Sequence, residues 1–451
     1  MNNDENFTSY VDFEGNQFLC VVNQYLAKLF PLEKGNSFKA YYDTGTNLNP
    51  QWLFGFDEDY YEIALFAQHG IQPASFARYS QFGVPIIVKS TSNVKKYDLH
   101  TFDAISFQGG SIDSVYNPKI AVNREHPDRK DFDGARTIEI KPFNEYSQTY
   151  PIRIDNENAN LLYSVSQDGK AENFTTSELG KVTSFIRIEF EKSQDINKLV
   201  ICYNVIKGFL SLLIGQQNVT FEVALHKRTE QGKSQEIAIC SINERYRNYC
   251  QKRSNKVIPL DFFKDKLSVA LTLFDTEQPP FLAFLPSDNS ESNHISYTNV
   301  QDLCTALEME YSLKKFPFKG DDIAKRLIKT LKEDIKEFAK ENPDAEESLY
   351  SVARSSVKYI SLSLTDRIWM LYGKYQKQID TICDKHNILK LDKEKIHSFV
   401  NLRNSITHSG LIDWNGNEKI YLQLKCLLYF AIFERIGFSA TESYEPIYQL
   451  M

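Results

Sequence analysis

The run Leu285-Pro286-Ser287-Asp288-Asn289-Ser290-Glu291-Ser292-Asn293 divides this chain in two. It is polar, holds almost nothing to bury, and reads as a linker. On its N-terminal side short apolar stretches alternate with turn residues. On its C-terminal side apolar residues recur at helical spacing. The expectation is an α+β protein, with a β-rich region over residues 1–285 that contains one internal helix, a linker over 286–297, and an all-α bundle over 298–451.

Upstream, Gln17 to Val22, Val84 to Val88, Thr137 to Lys141 and Phe185 to Phe190 read as strands, the last two alternating with period two. Gly109-Gly110 and Asp133-Gly134 punctuate them. Between Asn197 and Gln216 the period changes: Leu199, Ile206, Leu210, Leu213 and Ile214 fit one buried helix face, which gives the internal helix over about 197–216. Strand-like patterns resume at Val219 to Val223 and at Leu267 to Leu273. The 25 Tyr and 31 Phe suit such a region, because aromatic rings fit half-buried pleated surfaces.

Downstream, a helix opens at Thr298 with Val300, Leu303, Leu307 and Tyr311, and Pro317 stops it. A second starts at Asp321-Asp322, carries Ile323, Leu327, Leu331, Ile335 and Phe338, and closes at Pro343. Residues 344–363 read as helical in part. From Thr365 to His386 the residues Ile368, Tyr372, Tyr375, Ile379 and Ile382 repeat at spacings of four and three, as in helices packed nearly antiparallel. Asp392 caps a helix to about His408, with Gly410 as terminator. The final helix, Glu418 to Ile436, ends at Gly437, is apolar almost all round and must be covered on more than one side, by its own bundle with or without a second subunit.

The net charge of −7 argues against a protein that coats nucleic acid without specificity, which needs many cations on phosphates; a local basic cleft stays open. Seven scattered cysteines with no CxxC pair suggest reduced thiols and no zinc site. The N-terminal MNNDENFTSY lacks the basic and apolar regions of a signal peptide, and the apolar run Leu199 to Ile214 carries Asn204, Lys207 and Gly208 and is short for a membrane span. A cytoplasmic protein without cofactor is expected.

The residues with chemistry to offer lie on the penultimate helix, Arg403-Asn404-Ser405-Ile406-Thr407-His408. Metal-free RNA cleavage needs the ribose 2′-OH to attack its own phosphate, so protons must be moved and charge on phosphate oxygens stabilised. His titrates near neutrality and suits the first task, while Arg offers a planar permanent charge for the second. Asn can orient either. At 100° per residue, Phe399, Leu402 and Ile406 form the core stripe, Arg403 lies on its flank, and Asn404 and His408 share the far side. Arg403 and His408 are then about 140° apart. A compact site requires either that the helix end near His408 or that a second subunit complete it. The plain alternative is a solvated Arg403 and a His408 that favours the helix C-terminus.

Leu-Arg-Asn-Ser-Ile-Thr-His-Ser-Gly (402–410) resembles the Arg-Asn-x-x-x-His motif of HEPN ribonucleases. The wider arrangement, a β-rich region followed by a helix reading Leu303 to Leu313, is similar to the ApeA-like abortive-infection proteins. The resemblance implies a HEPN-type bundle and a metal-independent endoribonuclease of antiphage defence. It further implies a homodimer with two motifs across the interface, and RNA ends carrying 2′,3′-cyclic phosphate and 5′-hydroxyl. A phage-derived trigger would act on the N-terminal region. A non-catalytic HEPN protein that binds RNA, a nucleotide or a partner remains the main rival.

Three further features enter as candidates. Glu308 matches an Ala-Leu-Glu element of the ApeA-like pattern and reads either as a support for the catalytic helix or RNA, or as a salt-bridge partner. Lys314 and Lys315, within Lys-Lys-Phe-Pro-Phe-Lys (314–319), mix cations and aromatics as single-stranded RNA contacts do, though such runs also end helices in solvent. Asp128 with Glu139 and Lys141 has the spelling of a Mg²⁺-dependent PD-(D/E)xK nuclease, against the simpler reading of a charged loop entering a strand.

Overall fold

The computed structural model describes residues 6–13, 15–32, 49–73, 79–93, 98–124, 138–140, 143–167, 182–243, 256–277, 282–287, 295–314, 316, 321–343, 347–357, 363–409 and 416–450. The chain is α+β and forms two compact units, the first Met1–Pro279 with Ser287–Ser292, the second Pro280–Pro286 with Asn293–Gln449.

In the first unit the strands are β1 (Asn6–Phe13), β2 (Asn16–Asn23), β3 (Leu26–Pro31), β4 (Gln51–Asp57), β5 (Glu62–Ala67), β6 (Gln72–Pro73), β7 (Ser80–Gly83), β8 (Ile86–Ser90), β9 (Thr101–Gln108), β10 (Val122–Arg124), β11 (Ile138–Ile140), β12 (Gln148–Ile154), β13 (Glu157–Gln167), β14 (Val182–Asp195), β15 (Glu222–Arg228) and β16 (Ser234–Ile242). Fourteen form one antiparallel succession, β12-β13-β14-β9-β15-β16-β8-β5-β4-β1-β2-β3-β7-β6, and β10 pairs with β11 alone. Period-two alternation sets the buried face: Val11, Phe13, Phe18, Cys20, Val22, Leu29, Leu53, Leu65 and Ile87 make one core. Gly55 of β4 pairs with Val11 of β1 so closely that a Cβ there would collide with the Tyr10 carbonyl.

Among the described residues three helices belong to this unit, α1 (Gly110–Val115), α2 (Asn197–Ile214) and α3 (Leu267–Glu277). Helix α2 is the expected internal helix, ended by Gly215 at φ 71. Among the described residues it alone is long and apolar enough to cross a membrane, yet 72% of it is buried inside the protein. Its apolar surface is core, with Phe209 against Phe263 and Phe274. Two expectations need correcting. Leu267 to Leu273 is helical, because Leu267, Ala270, Leu271 and Phe274, at helical spacing, are the residues buried there. The strand expected from Val219 starts only at Glu222.

The second unit contains α4 (Tyr297–Leu313), α5 (Asp321–Glu341), α6 (Glu347–Val357), α7 (Leu364–His386), α8 (Lys393–Ser409), α9 (Asn417–Ile436) and α10 (Ala440–Gln449). Each start has a local cause. Ser296 and Asn299 form a capping box on α4, Ser363 caps α7, and Asp392 Oδ1 accepts from Lys395 N at 2.8 Å on α8. Helix α9 ends at Gly437, φ 98. Its apolar surface is consumed by α4, α7, α8 and α10, with Leu424, Leu427, Leu428 and Phe430 to Phe433 buried within this chain. The open apolar side chains lie elsewhere: Ile323, Leu327 and Phe338 of α5 and Leu349 and Val352 of α6 are exposed, so the apolar face read for α5 is not core.

Candidate active site

Helix α8 is anchored at its N-terminus, where Lys393 Nζ meets Asp366 Oδ1 of α7 at 2.6 Å. Ile396, Phe399, Val400, Leu402 and Ile406 are its buried stripe, packing against α4, α7 and α9. That stripe fixes the rotation of the helix, and with it where the motif residues emerge. Arg403 and Asn404 are both half-buried, and Arg403 Nη1 donates to Asn404 Oδ1 at 3.2 Å. His408 lies in the last helical turn; its side chain, like Lys315, is outside the described residues.

The neighbour of this pair is the middle of α4. Cys304 is fully buried, and its thiol is pushed up to about 12 by burial, with Arg403 pulling it down and Glu308 pushing it up. Both charges thus act on one spot. Glu308 accepts from Arg367 Nη1 of α7 in an ion pair between helices. Arg403 of α8 and Glu308 of α4 thus both lie within electrostatic reach of Cys304, and Arg367 of α7 joins them through its ion pair with Glu308. Arg367 gave no signal in the sequence, where it is simply a first-turn residue after the Ser363 cap. Only the packing of α7 on α4 brings it near.

Lys314 does not join this group. Its ammonium, 9% exposed, contacts Glu434 Oε2 at 2.5 Å and the Ala431 carbonyl at 3.4 Å. Glu434 also accepts from Lys374 and from the Tyr375 hydroxyl. Burial alone would raise the Glu434 carboxyl, but these donors outweigh it and bring it down to about 2. Nearby, Arg435 Nη1 meets Glu310 Oε1 at 2.5 Å, with Glu310 only 1% exposed. These ion pairs join α4, α7 and α9 and serve the packing of the bundle.

The alternative nuclease spelling cannot be followed closely: Asp128 and Lys141 lie outside the described residues, and Glu139 is known only as a backbone partner of Asn123 in the β10–β11 pair. Among the described residues no group of three His, Cys, Asp or Glu is arranged to hold a metal. The six cysteines among the described residues are free thiols and all are buried. Comparison with family models, with curated proteins and with solved structures finds no match to this chain.

Proposed function

We propose that the chain is a metal-independent endoribonuclease of antiphage defence, acting by abortive infection as a cytoplasmic homodimer. The observation that supports it most is the hydrogen-bonded Arg403–Asn404 pair, half-buried beside the core stripe of α8 and five residues before His408 on the same helix. Arg403 binds the scissile phosphate and takes up the charge that builds on its oxygens. Asn404 holds the guanidinium in place. His408 moves the protons: the 2′-oxygen loses its proton as it bonds to phosphorus, and the departing 5′-oxygen gains one as its bond to phosphorus breaks. The products carry 2′,3′-cyclic phosphate and 5′-hydroxyl ends. A second copy supplies the partner motif, and a phage-derived trigger acts on the N-terminal unit.

The test is incubation of the full chain and of Arg403→Ala and His408→Ala with total RNA in EDTA. Cleavage by the parent protein, lost in both variants, is the expected result. Equal background in all three sinks the proposal, and RNA binding without cleavage would leave the motif a binding element. Activity that requires Mg²⁺ and disappears in Asp128→Ala would transfer the chemistry to the acidic spelling in the N-terminal unit.

A further inference from the structure

A cavity of about 510 Å³ lies in the first unit, at the ends of β2, β5, β8 and β16 beside α2. That volume suits a small organic ligand. Its polar lining comes from Tyr25, Gln68, His69, Lys207, Asn218 and Asn243, with Val84 and Val219 adding apolar surface. Among the described residues that line it there is no carboxylate, and Lys207 brings a positive charge to the wall. Lys207 makes no ion pair among the described residues; its Nζ donates to the Tyr203 hydroxyl at 3.3 Å.

The amides are similarly placed for a guest. Asn218 N donates to the Ser287 carbonyl at 2.8 Å and its own carbonyl accepts from Gln216 Nε2 at 2.9 Å. Asn243 N donates to the Pro85 carbonyl at 2.8 Å. The backbones are thereby fixed, while neither side-chain amide has a hydrogen-bond partner among the described residues. Asn218 is 7% exposed and Asn243 is exposed, so their amides are available to bond a polar guest at the cavity wall.

The turn that delivers Tyr25 points the same way. Between β2 and β3 the two loop residues are Gln24 at φ 48 and Tyr25 at φ 65, a left-handed pair usually filled by Asn and Gly. An aromatic residue there is strained by about 1–2 kcal/mol. The Tyr25 carbonyl accepts from Val84 N at 2.8 Å, its hydroxyl donates to the Ile242 carbonyl at 3.5 Å, and its side chain, partly packed on the sheet core, contributes to the cavity wall.

We propose that this cavity binds a nucleoside monophosphate. Lys207 takes the phosphate, the Tyr25 ring stacks on the base, and the Asn218 and Asn243 amides read the base edge. The site lies wholly within the first unit, so nucleotide binding is independent of the outcome of the RNA-cleavage test. Titration calorimetry of the full chain with AMP, GMP, CMP and UMP tests it, with the four nucleosides, ribose 5-phosphate and inorganic phosphate as comparison arms. At least one nucleotide binds. Lys207→Gln weakens that nucleotide by about tenfold or more while leaving its nucleoside unchanged, since a charge-assisted hydrogen bond is lost. Asn243→Ala weakens nucleotide and nucleoside alike. Absence of binding by all four nucleotides at millimolar concentration overturns the proposal, as does binding of inorganic phosphate or ribose 5-phosphate as tight as that of any nucleotide. Unchanged nucleotide affinity in both variants, with thermal midpoints matching the parent, overturns it equally.

Discussion

Replacing Arg435 with Met should destabilise the helical unit in a way that depends on pH. Glu310 is 1% exposed and meets the Arg435 guanidinium at 2.5 Å. Met keeps the length and much of the packing but removes the charge. A buried carboxylate that loses its cation takes up a proton rather than stay charged. Protonating a carboxyl with an unfolded value near 4.3 costs about 4 kcal/mol at pH 7.5, and about 1.6 kcal/mol at pH 5.5. Lys314, one turn along α4, is already bound to Glu434 and recovers only part of this. The expected loss is therefore about 2–4 kcal/mol at pH 7.5 and less than half as much at pH 5.5. The sign follows from linkage: in the variant the folded carboxyl is raised above its unfolded value, so stability relative to the parent falls as pH rises between the two values. Urea unfolding followed by hydrogen exchange of peptides from Asn417–Ile436 reads this helix separately from the β-rich unit. Combining the change with Glu310→Leu should restore most of the loss, because two apolar side chains replace the pair. A loss under about 1 kcal/mol at pH 7.5, or one equal at both pH values, would refute the reasoning.

Two smaller predictions concern the same bundle. Asp392→Ala removes the cap whose Oδ1 accepts from Lys395 N, and should cost about 1 kcal/mol and speed amide exchange in the first turn of α8, with the later turns unaffected. For Glu434, whose folded value of about 2 lies below the usual carboxylate range, the stabilisation is present above about pH 4.5 and is lost as pH falls toward 2; with the side chain 34% exposed, solvent screening holds the Glu434→Gln difference to about 1 kcal/mol at neutral pH. An acid titration of the two proteins that runs parallel throughout would count against that assignment.

How much of this was legible depended on whether a signal was local. The caps at Asp392 and Gly437 and the stripe Phe399, Leu402, Ile406 were readable because a helix end and a buried face are written in nearby residues. Leu267 to Leu273 was misread because a short apolar run fits a strand or a helix, and only burial of positions 267, 270, 271 and 274 separates them. The open face of α5 was illegible for another reason: periodicity announces an amphipathic helix but says nothing of whether any element reaches it. The Gln24-Tyr25 turn lies outside the dipeptides that ordinarily announce a tight hairpin, and Arg367 becomes informative only when α7 meets α4.

The helix carrying the motif also narrows what the ribonuclease proposal requires. Had α8 stopped before His408, the imidazole could have turned back toward Arg403. The helix instead continues to Ser409, so the two residues leave one regular helix about 140° apart. Arg403 lies beside the middle of α4, where Glu308 pairs with Arg367. On the ribonuclease proposal, that angular separation along one helix favours a phosphate gripped by Arg403 of one copy and served by His408 of a second. On this proposal the second copy has a chemical role as well as a structural one. On the same proposal α9 is largely buried in its own bundle, and the exposed apolar residues of α5 and α6 are where a search for the surface joining the copies begins.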